Sequence, residues 1–249
     1  MASLSQEPVD RVYLIDNSPD DSLALLAASY PIAQYLHISN RGFGNAHNIA
    51  MQFAKEAGSQ FHLVLNPDVR WSQPILAHLI EAFHKRPKCA LMQPTVTYPD
   101  GRLQHTCRLI PTPFDVFAKR FLPNAWIRRR LNRYLLPADA YSREFNAVYM
   151  QGSFMLLRMS ALEEIGGFDE RFFMYPEDID LTRRIRQRFD AIHYPYISII
   201  HDHQAASSRA GRMLRIHIVN MIRYFNKWGW FFDAGRRKLN RRLRAELDL

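Results

Sequence analysis

The chain of 249 residues has only two cysteines, Cys89 and Cys107. This count excludes a disulfide scaffold and favours a reducing compartment. No apolar run reaches the roughly 20 residues that a membrane-spanning helix needs, and the N-terminus lacks the apolar segment of a signal peptide. With 47% hydrophobic and 23% charged residues, the composition is that of a folded protein with a sizeable core. We expect a cytoplasmic protein that is soluble or peripheral to a membrane.

Acidic residues are scarce at the C-terminal end. Residues 205–249 hold 11 Lys and Arg but three acids, which accounts for +8 of the net charge of +9. Such charge attracts phosphate in nucleic acid, anionic lipid or a diphosphate-linked substrate. No nucleic-acid partner is expected, because no recognition motif accompanies the charge. Aromatic residues among the bases fit contact with a membrane surface, although they could also pack on the body, and the charge could be a solvated helix face.

Apolar runs alternate between the strand and helix periods along the chain. Strands are predicted over 11–16, 35–39, 61–65, 90–96, 148–158 and 191–200, and helices over 45–57, 74–85, 160–165 and 176–188. This order predicts a single α/β domain with a mainly parallel sheet flanked by helices. We place the core at residues 9–204, with 110–147 as an insertion or flexible excursion. Residues 205–249 form a basic, aromatic tail of helices.

Polar clusters follow the first three strands directly. They are Asp16-Asn17-Ser18, Asn40-x-Gly42-x-Gly44-x-x-x-Asn48 and Asn66-Pro67-Asp68. Ligands of open α/β sheets bind at the carboxyl ends of strands. Glycines at a helix start permit close approach of phosphate, and the third cluster could hold a divalent cation together with diphosphate oxygens. Plain tight turns and a capping Asp remain alternative interpretations.

Three acidic residues lie close together at positions 177–180. Glu177, Asp178 and Asp180 would occupy the first turn of a helix, where the helix dipole stabilises the ionised form and an Asp could accept a proton. The aromatic approach over residues 172–175 would form the wall of a pocket. Ordinary capping by first-turn acids is the alternative.

The clusters together resemble a known family. The quoted motifs, followed by Gly152-Ser153-x-Met155-Leu156-Leu157-Arg158 and by Gly167-Phe168-Asp169-Glu170 … Glu177-Asp178-x-Asp180-Leu181, occur in one order. This order resembles inverting family-2 glycosyltransferases with a GT-A fold, especially the rhamnosyltransferase-like branch that builds surface polysaccharides such as O-antigen. The resemblance covers roughly residues 11–230. Family members usually carry one more strand and helix before the Asp16 strand, so the sequence is expected to lack the first βα unit.

The resemblance implies a role for each cluster. Donor and nucleotide contacts are implied for Asp16, Asn17, Asn40, Gly42, Gly44, Asn48, Asn66 and Asp68. Contacts to the donor sugar or acceptor are implied for Gly152, Ser153 and Tyr175. Asp178 matches the catalytic base, with Glu177 as its neighbour. Asp68 matches the metal-binding acid, and His203 would reach the metal or diphosphate.

The implied activity is inverting transfer of a sugar, with rhamnose as one candidate, from a nucleotide-diphosphate donor. The acceptor would be a hydroxyl of a polysaccharide or lipid-linked oligosaccharide at the inner face of the plasma membrane. Mg²⁺ or Mn²⁺ is the implied cofactor, although the single carboxylate at residues 66–68 leaves strict metal dependence open, and a homo-oligomer is an option. The alternative is a truncated or catalytically impaired relative that acts as a binding or scaffold module.

Overall fold

The computed structural model describes residues 3–121, 132–202 and 210–249. Eight strands are described: β1 (Val12–Asp16), β2 (Ala33–His37), β3 (Phe61–Leu65), β4 (Val69–Arg70), β5 (Cys89–Thr97), β6 (Phe145–Asn146), β7 (Phe154–Arg158) and β8 (Asp190–His201). The described α-helices are α1 (Ala24–Ala28), α2 (Phe43–Glu56), α3 (Leu76–His84), α4 (Pro113–Phe121), α5 (Met159–Ile165), α6 (Glu177–Ile185), α7 (Ala210–Trp228) and α8 (Ala234–Leu247).

The main sheet has the strand order β3-β7-β5-β8-β4, and β6 pairs with β8. The predicted α/β class, a central sheet flanked by helices, is confirmed. The strand directions correct the expectation of a mainly parallel sheet. Strands β5 and β8 are parallel, but β7 runs antiparallel to both β3 and β5, and β4 and β6 run antiparallel to β8. The long excursion after β5 returns the chain to the carboxyl end of β3, so β7 must run backwards.

Strands β1 and β2 form a separate parallel sheet. Helix α2 contacts both β1 and β3. In the described part of the chain, β1 pairs only with β2, and β3 pairs only with β7. The strand that carries Asp16 is therefore positioned by helix packing and not by the hydrogen bonds of the main sheet.

The hydrophobic core lies on both faces of the main sheet. Along β7, Met155 and Leu157 face one cluster, whereas Phe154 and Leu156 face the other. This alternation is the period of two that a pleated strand imposes. The first cluster also takes up buried residues from the excursion and from the C-terminal helices, including Leu136, Tyr141, Tyr224, Phe225 and Leu243. The boundaries at 110–147 and 205 stay predictions, but both segments share the core.

The C-terminal helices also hold α6 in place. Arg183 of α6 forms a buried ion pair with Asp233, and its guanidinium lies 4.0 Å from the ring centroid of Trp228. Asp180 is fully buried and pairs with Lys227 at 2.6 Å. These contacts join α6 to α7 and to the residue that precedes α8. No helix in the described ranges combines the length and the apolar character that crossing a bilayer demands.

Candidate active site

The site begins where β3 ends and β7 starts. Leu65 pairs with Phe154 in the antiparallel register, and the amide of Asn66 donates to the carbonyl of Ser153 at 2.9 Å. The reversed direction of β7 therefore places residues 152–153 beside Asn66, at the carboxyl end of β3. The structure brings together two clusters that lie 86 positions apart in the sequence.

The first turn of α6 meets this edge through one carboxylate. The amide of Gly152 donates to Oδ2 of Asp178 at 3.1 Å, and the amide of Ile179 donates to Oδ1 at 2.7 Å. The hydroxyl of Thr182 donates to the carbonyl of Asp178 at 2.8 Å. Backbone groups thus fix both oxygens of the Asp178 side chain, although only 7% of this residue is exposed.

Burial perturbs the protonation of both acids in this turn. It raises the pKa of Asp178 to about 7, while the Ile179 and Gly152 amides and the positive charge of Arg108 oppose the rise. The pKa of Glu177 lies well above its ordinary value because of burial and the adjacent Asp178 charge. A carboxyl that titrates near neutral pH can both accept and release a proton, which is what a general base needs.

Two buried polar atoms near this acid pair have no hydrogen-bond partner within the described residues. They are Oγ of Ser153 and Oε2 of Glu177, in residues that are only 1% and 5% exposed. Buried polar groups are nearly always hydrogen-bonded, so unpaired ones need an explanation. A ligand hydroxyl group would satisfy them.

The aromatic approach to α6 is strained at Tyr175, whose φ of 95° is rare for a residue with a side chain. Tyr175 remains 40% exposed, and its ring lies 5.0 Å from that of His217 on α7. The side-chain Nδ2 of Asn220 donates to the carbonyl of Met174 at 3.0 Å. Helix α7 therefore holds the segment that presents Tyr175 at the edge of the acid pair.

The glycine cluster at the start of α2 lies against the segment that leads to α6. Gly42 has a φ of 104°, and a Cβ there would lie 2.4 Å from the carbonyl oxygen of Phe173. A Cβ on Gly44 would lie 2.9 Å from the Cβ of Phe168. Asn48 exchanges two hydrogen bonds with the backbone of Phe168, at 2.9 and 2.8 Å. Close packing with residues 168–173 explains these residue types here, and their contact with a nucleotide stays a prediction.

Asp16 and its neighbours lie at the carboxyl end of β1. Asp16 is 5% exposed and accepts hydrogen bonds from Ser18 and from the hydroxyl of Tyr35. Burial opposes ionisation of Asp16, but these hydrogen bonds outweigh it and lower the pKa. Asn17 follows and is half-buried, while the side chain of Asn40 accepts from the amide of Gly42 at 3.1 Å. A nucleotide role for these residues also stays a prediction.

Asp68 lies at the rim of the same sheet, two residues beyond Asn66. Its carboxylate is 40% exposed and lies 3.2 Å from Nε2 of His201, at the end of β8. Asp202 adds a second carboxylate to the hollow that Asp68 lines, together with Arg70. Across the ranges described, no group of three or more His, Cys, Asp and Glu side chains could hold a metal ion. His203, the other predicted ligand, lies outside the described residues.

This donor set fits a cation that shares its shell with a substrate. Mg²⁺ is usually bound through one or two carboxylates plus substrate phosphates and water, and not by a cage of protein ligands. Asp68 and Asp202 supply such carboxylates at a rim open to solvent. Their positions therefore agree with a cation that binds together with a diphosphate.

The sequence interpretation did not select three residues of this region. Arg108 and Tyr149 lie beside the acid pair, and His201 lies beside Asp68. Arg108 lies between predicted elements, and Tyr149 lies in the predicted strand 148–158 as an ordinary strand residue, so no local pattern singled them out. His201 had a usable signal, because it ends a β-rich run next to the chosen His203.

We predict that Asp178→Asn raises stability at about pH 8. The folded-state pKa of about 7 exceeds the ordinary value of 3.8, so the unfolded chain loses the Asp178 proton at a lower pH than the folded protein does. The stability that depends on the proton is intact below pH 4 and is lost as the pH rises through 7. Asn carries no charge, so the variant avoids this loss and is expected to be more stable than the wild type at pH 8. The gain is reduced because the Nδ2 of Asn cannot accept one of the two backbone hydrogen bonds that Asp178 receives.

Denaturant unfolding at about pH 8 and pH 4 measures this gain. Asp100→Asn, in an exposed turn, is the matched control and should give no gain at either pH. An Asp178→Asn protein that is no more stable than the wild type at pH 8 would contradict the assignment of a raised pKa.

Comparison with known proteins places this arrangement in a family. Residues 2–166 match the family described as "Glycosyl transferase family 2". N-acetylglucosaminyl-diphospho-decaprenol L-rhamnosyltransferase from Mycobacterium tuberculosis is 30% identical over 222 residues, which cover 84% of this chain and 72% of that protein. Rhamnosyltransferase WbbL from Escherichia coli is 27% identical over 229 residues, which cover 86% of this chain and 81% of that protein.

Solved structures show the same fold at lower identity. GalNAc-T7 with UDP, GalNAc and Mn²⁺ has a TM-score of 0.62 at 12% identity and matches 99% of this chain, which spans 50% of that chain. The mannosyltransferase PcManGT from Pyrobaculum calidifontis, in complex with GDP-Man and Mn²⁺, has a TM-score of 0.58 at 15% identity and matches 100% of this chain and 64% of that chain. The chain belongs to glycosyl transferase family 2, and it is a nucleotide-sugar glycosyltransferase with a GT-A fold.

Proposed function

We propose that this protein moves a sugar from a nucleotide-diphosphate donor to a hydroxyl of a lipid-linked acceptor, with inversion at the anomeric carbon. The observation that carries the proposal is Asp178, a buried carboxylate that two backbone amides fix near the carboxyl end of β3. Its pKa of about 7 suits a base that works near neutral pH.

The chemistry follows from a base and a good leaving group. Asp178 accepts the proton of the acceptor hydroxyl as that oxygen forms a bond to the anomeric carbon of the donor. The bond from the anomeric carbon to the diphosphate oxygen breaks, and the nucleoside diphosphate leaves with the electron pair. Attack and departure occur on opposite faces of the sugar, which inverts the configuration. The unpaired Oγ of Ser153 and Oε2 of Glu177 are suited to hold sugar hydroxyls.

Charge that develops on the leaving diphosphate needs stabilisation. Asp68, with Asp202 beside it, would hold a divalent cation such as Mg²⁺ or Mn²⁺, which supplies positive charge to the diphosphate. Arg70 lines the same hollow and adds a guanidinium that can bind phosphate oxygens. The Mn²⁺ in two structures of the same fold supports this proposal.

Rhamnose is the first candidate for the donor sugar. Two similar proteins are named rhamnosyltransferases, and the name of one gives N-acetylglucosaminyl-diphospho-decaprenol as its acceptor. An acceptor of that class carries a diphosphate and a long lipid, which agrees with the basic C-terminal region. The alternative of an impaired binding or scaffold module is not favoured, because the acid pair and Asp68 occupy positions suited to transfer.

We predict that Asp178→Asn lowers transfer by roughly 10²- to 10⁴-fold, the usual contribution of a general base. Transfer of rhamnose from dTDP-rhamnose to a lipid-diphosphate GlcNAc acceptor measures the rate, with UDP- and GDP-sugars as further donors. Thermal shifts with dTDP, UDP and GDP measure donor binding separately. We expect binding to be retained in Asp178→Asn, and Asp100→Asn should change neither quantity. Loss of binding and transfer together would make Asp178 a structural residue.

A membrane-facing surface is the second part of the proposal. Phe231 and Phe232, between α7 and α8, are 75% and 91% exposed. Their neighbour Trp230 stacks on Phe117 of α4 at 6.4 Å, and Phe114 on the same helix is 48% exposed. The outward face of α8 presents the exposed bases Arg237, Lys238, Arg241, Arg242 and Arg244.

Aromatic rings with adjacent cations are the features of a surface that lies on anionic lipid. We define Phe114, Phe231 and Phe232 as the aromatic patch. Two further aromatic residues of the tail, Tyr224 and Phe225, are fully buried and serve the core. We propose that the tail has both of the roles that its composition left open, and that it brings the protein to the inner face of the plasma membrane. Self-association stays a prediction.

We predict that Phe231→Ser with Phe232→Ser weakens binding to phosphatidylglycerol-containing vesicles by roughly tenfold or more. Partial burial of each ring in the lipid interface would contribute about 1 kcal/mol. Sedimentation with vesicles measures binding, and pure phosphatidylcholine vesicles test the contribution of charge. Tyr196→Ser, which removes a 71% exposed aromatic side chain outside the patch, is the control. Equal binding by the double variant and the wild type would reject the aromatic patch as a lipid contact.

A further inference from the structure

We propose that Arg108 is a positioning residue, which keeps the negative charge of the acid pair on Asp178 and the proton on Glu177. The inference rests on the proposed role of Asp178 as the base and extends it to a residue in the segment after β5. Arg108 forms no ion pair with either acid, so it acts on them through the electrostatic field of its positive charge.

The backbone fixes Arg108 close to the acid pair. Cys107 and Met150 form an antiparallel bridge, the amide of Arg108 donates to the carbonyl of Tyr149 at 3.3 Å, and the amide of Gln151 donates to the carbonyl of Thr106 at 3.0 Å. The next residue along the second segment is Gly152, whose amide donates to Asp178. One short ladder therefore links Arg108 to the residue that holds the carboxylate.

The guanidinium of Arg108 is held without a carboxylate partner. Its Nε donates to the carbonyl of His105 at 2.7 Å, and its Cζ lies 5.6 Å from the ring centroid of Tyr149. Tyr149 is itself 6% exposed. Among the described residues, no carboxylate forms an ion pair with this guanidinium within 4.0 Å. A half-buried cation that no acid neutralises acts over a longer distance than a paired one.

The other groups that face the acid pair are neutral at pH 7. Tyr149 has a pKa raised well above 10, because of burial and the Asp178 charge. Burial raises the pKa of Tyr134 to about 12, and the pKa of Tyr175 is raised by burial and by Glu177. Among the groups described, Arg108 is the cation that lowers the pKa of Asp178.

The effect on the two acids is unequal. The positive charge of Arg108 acts on Asp178, whereas burial and the Asp178 charge govern Glu177. Two adjacent carboxyls in a buried site cannot both ionise at low cost, so one retains the proton. The ladder that holds Arg108 ends at Gly152, whose amide binds Asp178 and not Glu177, so the cation favours ionisation of Asp178. Arg108 thereby makes Asp178 the base and leaves Glu177 as a neutral hydrogen-bond donor.

The first test is the pH dependence of kcat/KM for sugar transfer. In Arg108→Gln, we expect the acid limb of the profile to move up by about one pH unit, the usual effect of an opposite charge. Arg108→Lys keeps the charge and should restore most of the wild-type profile. An unmoved limb with a raised KM for the acceptor would overturn the proposal, because Arg108 would then bind a substrate phosphate. An equal loss of rate at every pH would overturn it too.

A second test needs no enzyme activity, so it separates this inference from the proposed function. Asp178→Asn is made in the wild type and in Arg108→Gln, and the thermal midpoint of all four proteins is measured at about pH 5 and pH 8. At pH 8, where Asp178 is ionised, we expect Asp178→Asn to raise the thermal midpoint more in the Arg108→Gln background than in the wild type. At pH 5 we expect the two backgrounds to give the same increment. Equal increments in both backgrounds at pH 8 would overturn the inference, whether or not transfer is detected.

Discussion

The hydrogen bond from the amide of Gly152 to the carboxylate of Asp178 is the contact on which the site depends. It joins the start of β7 to the first turn of α6, and it requires β7 to begin at the carboxyl end of β3. An ionised carboxylate at this depth is costly, and two backbone amides offset only part of that cost. The part of the desolvation cost that the amides do not offset raises the pKa of Asp178, which is the property that a base near neutral pH needs.

The helix that carries Asp178 is also stabilised by the C-terminal region. Arg183 pairs with Asp233 in the interior, and the buried Asp180 pairs with Lys227. A buried pair adds little net stability, but removal of one partner is expensive, so the geometry is enforced. Phe231 and Phe232 of the aromatic patch directly precede Asp233. A single segment therefore borders both the proposed lipid surface and the interior contacts that orient the base.

Local patterns in the sequence predicted most elements and drew attention to Asp68 and Asp178, because Asp68 follows a predicted strand and Asp178 lies in the first turn of a predicted helix. Gly152 interrupts the predicted strand 148–158 and was selected only through the family resemblance. The direction of β7 could not be predicted, since the pairing partner of a strand depends on where a long excursion returns. Arg108 was not predicted, because its neighbourhood depends on pairing with residues 149–151. The tight contacts of Gly42 with residues 168–173 were likewise invisible, and the glycine motif alone suggested a phosphate site.

The central claim is that Asp178 titrates near neutral pH inside the folded protein. The direct measurement is ¹³C NMR of the protein labelled at the aspartate side-chain carboxyls, recorded from about pH 4 to pH 9, with the Asp178 signal assigned from its loss in Asp178→Asn. The account predicts a midpoint at about 7 for this signal. A midpoint near the ordinary aspartate value of about 4 would contradict it and would leave the base without the protonation behaviour argued above.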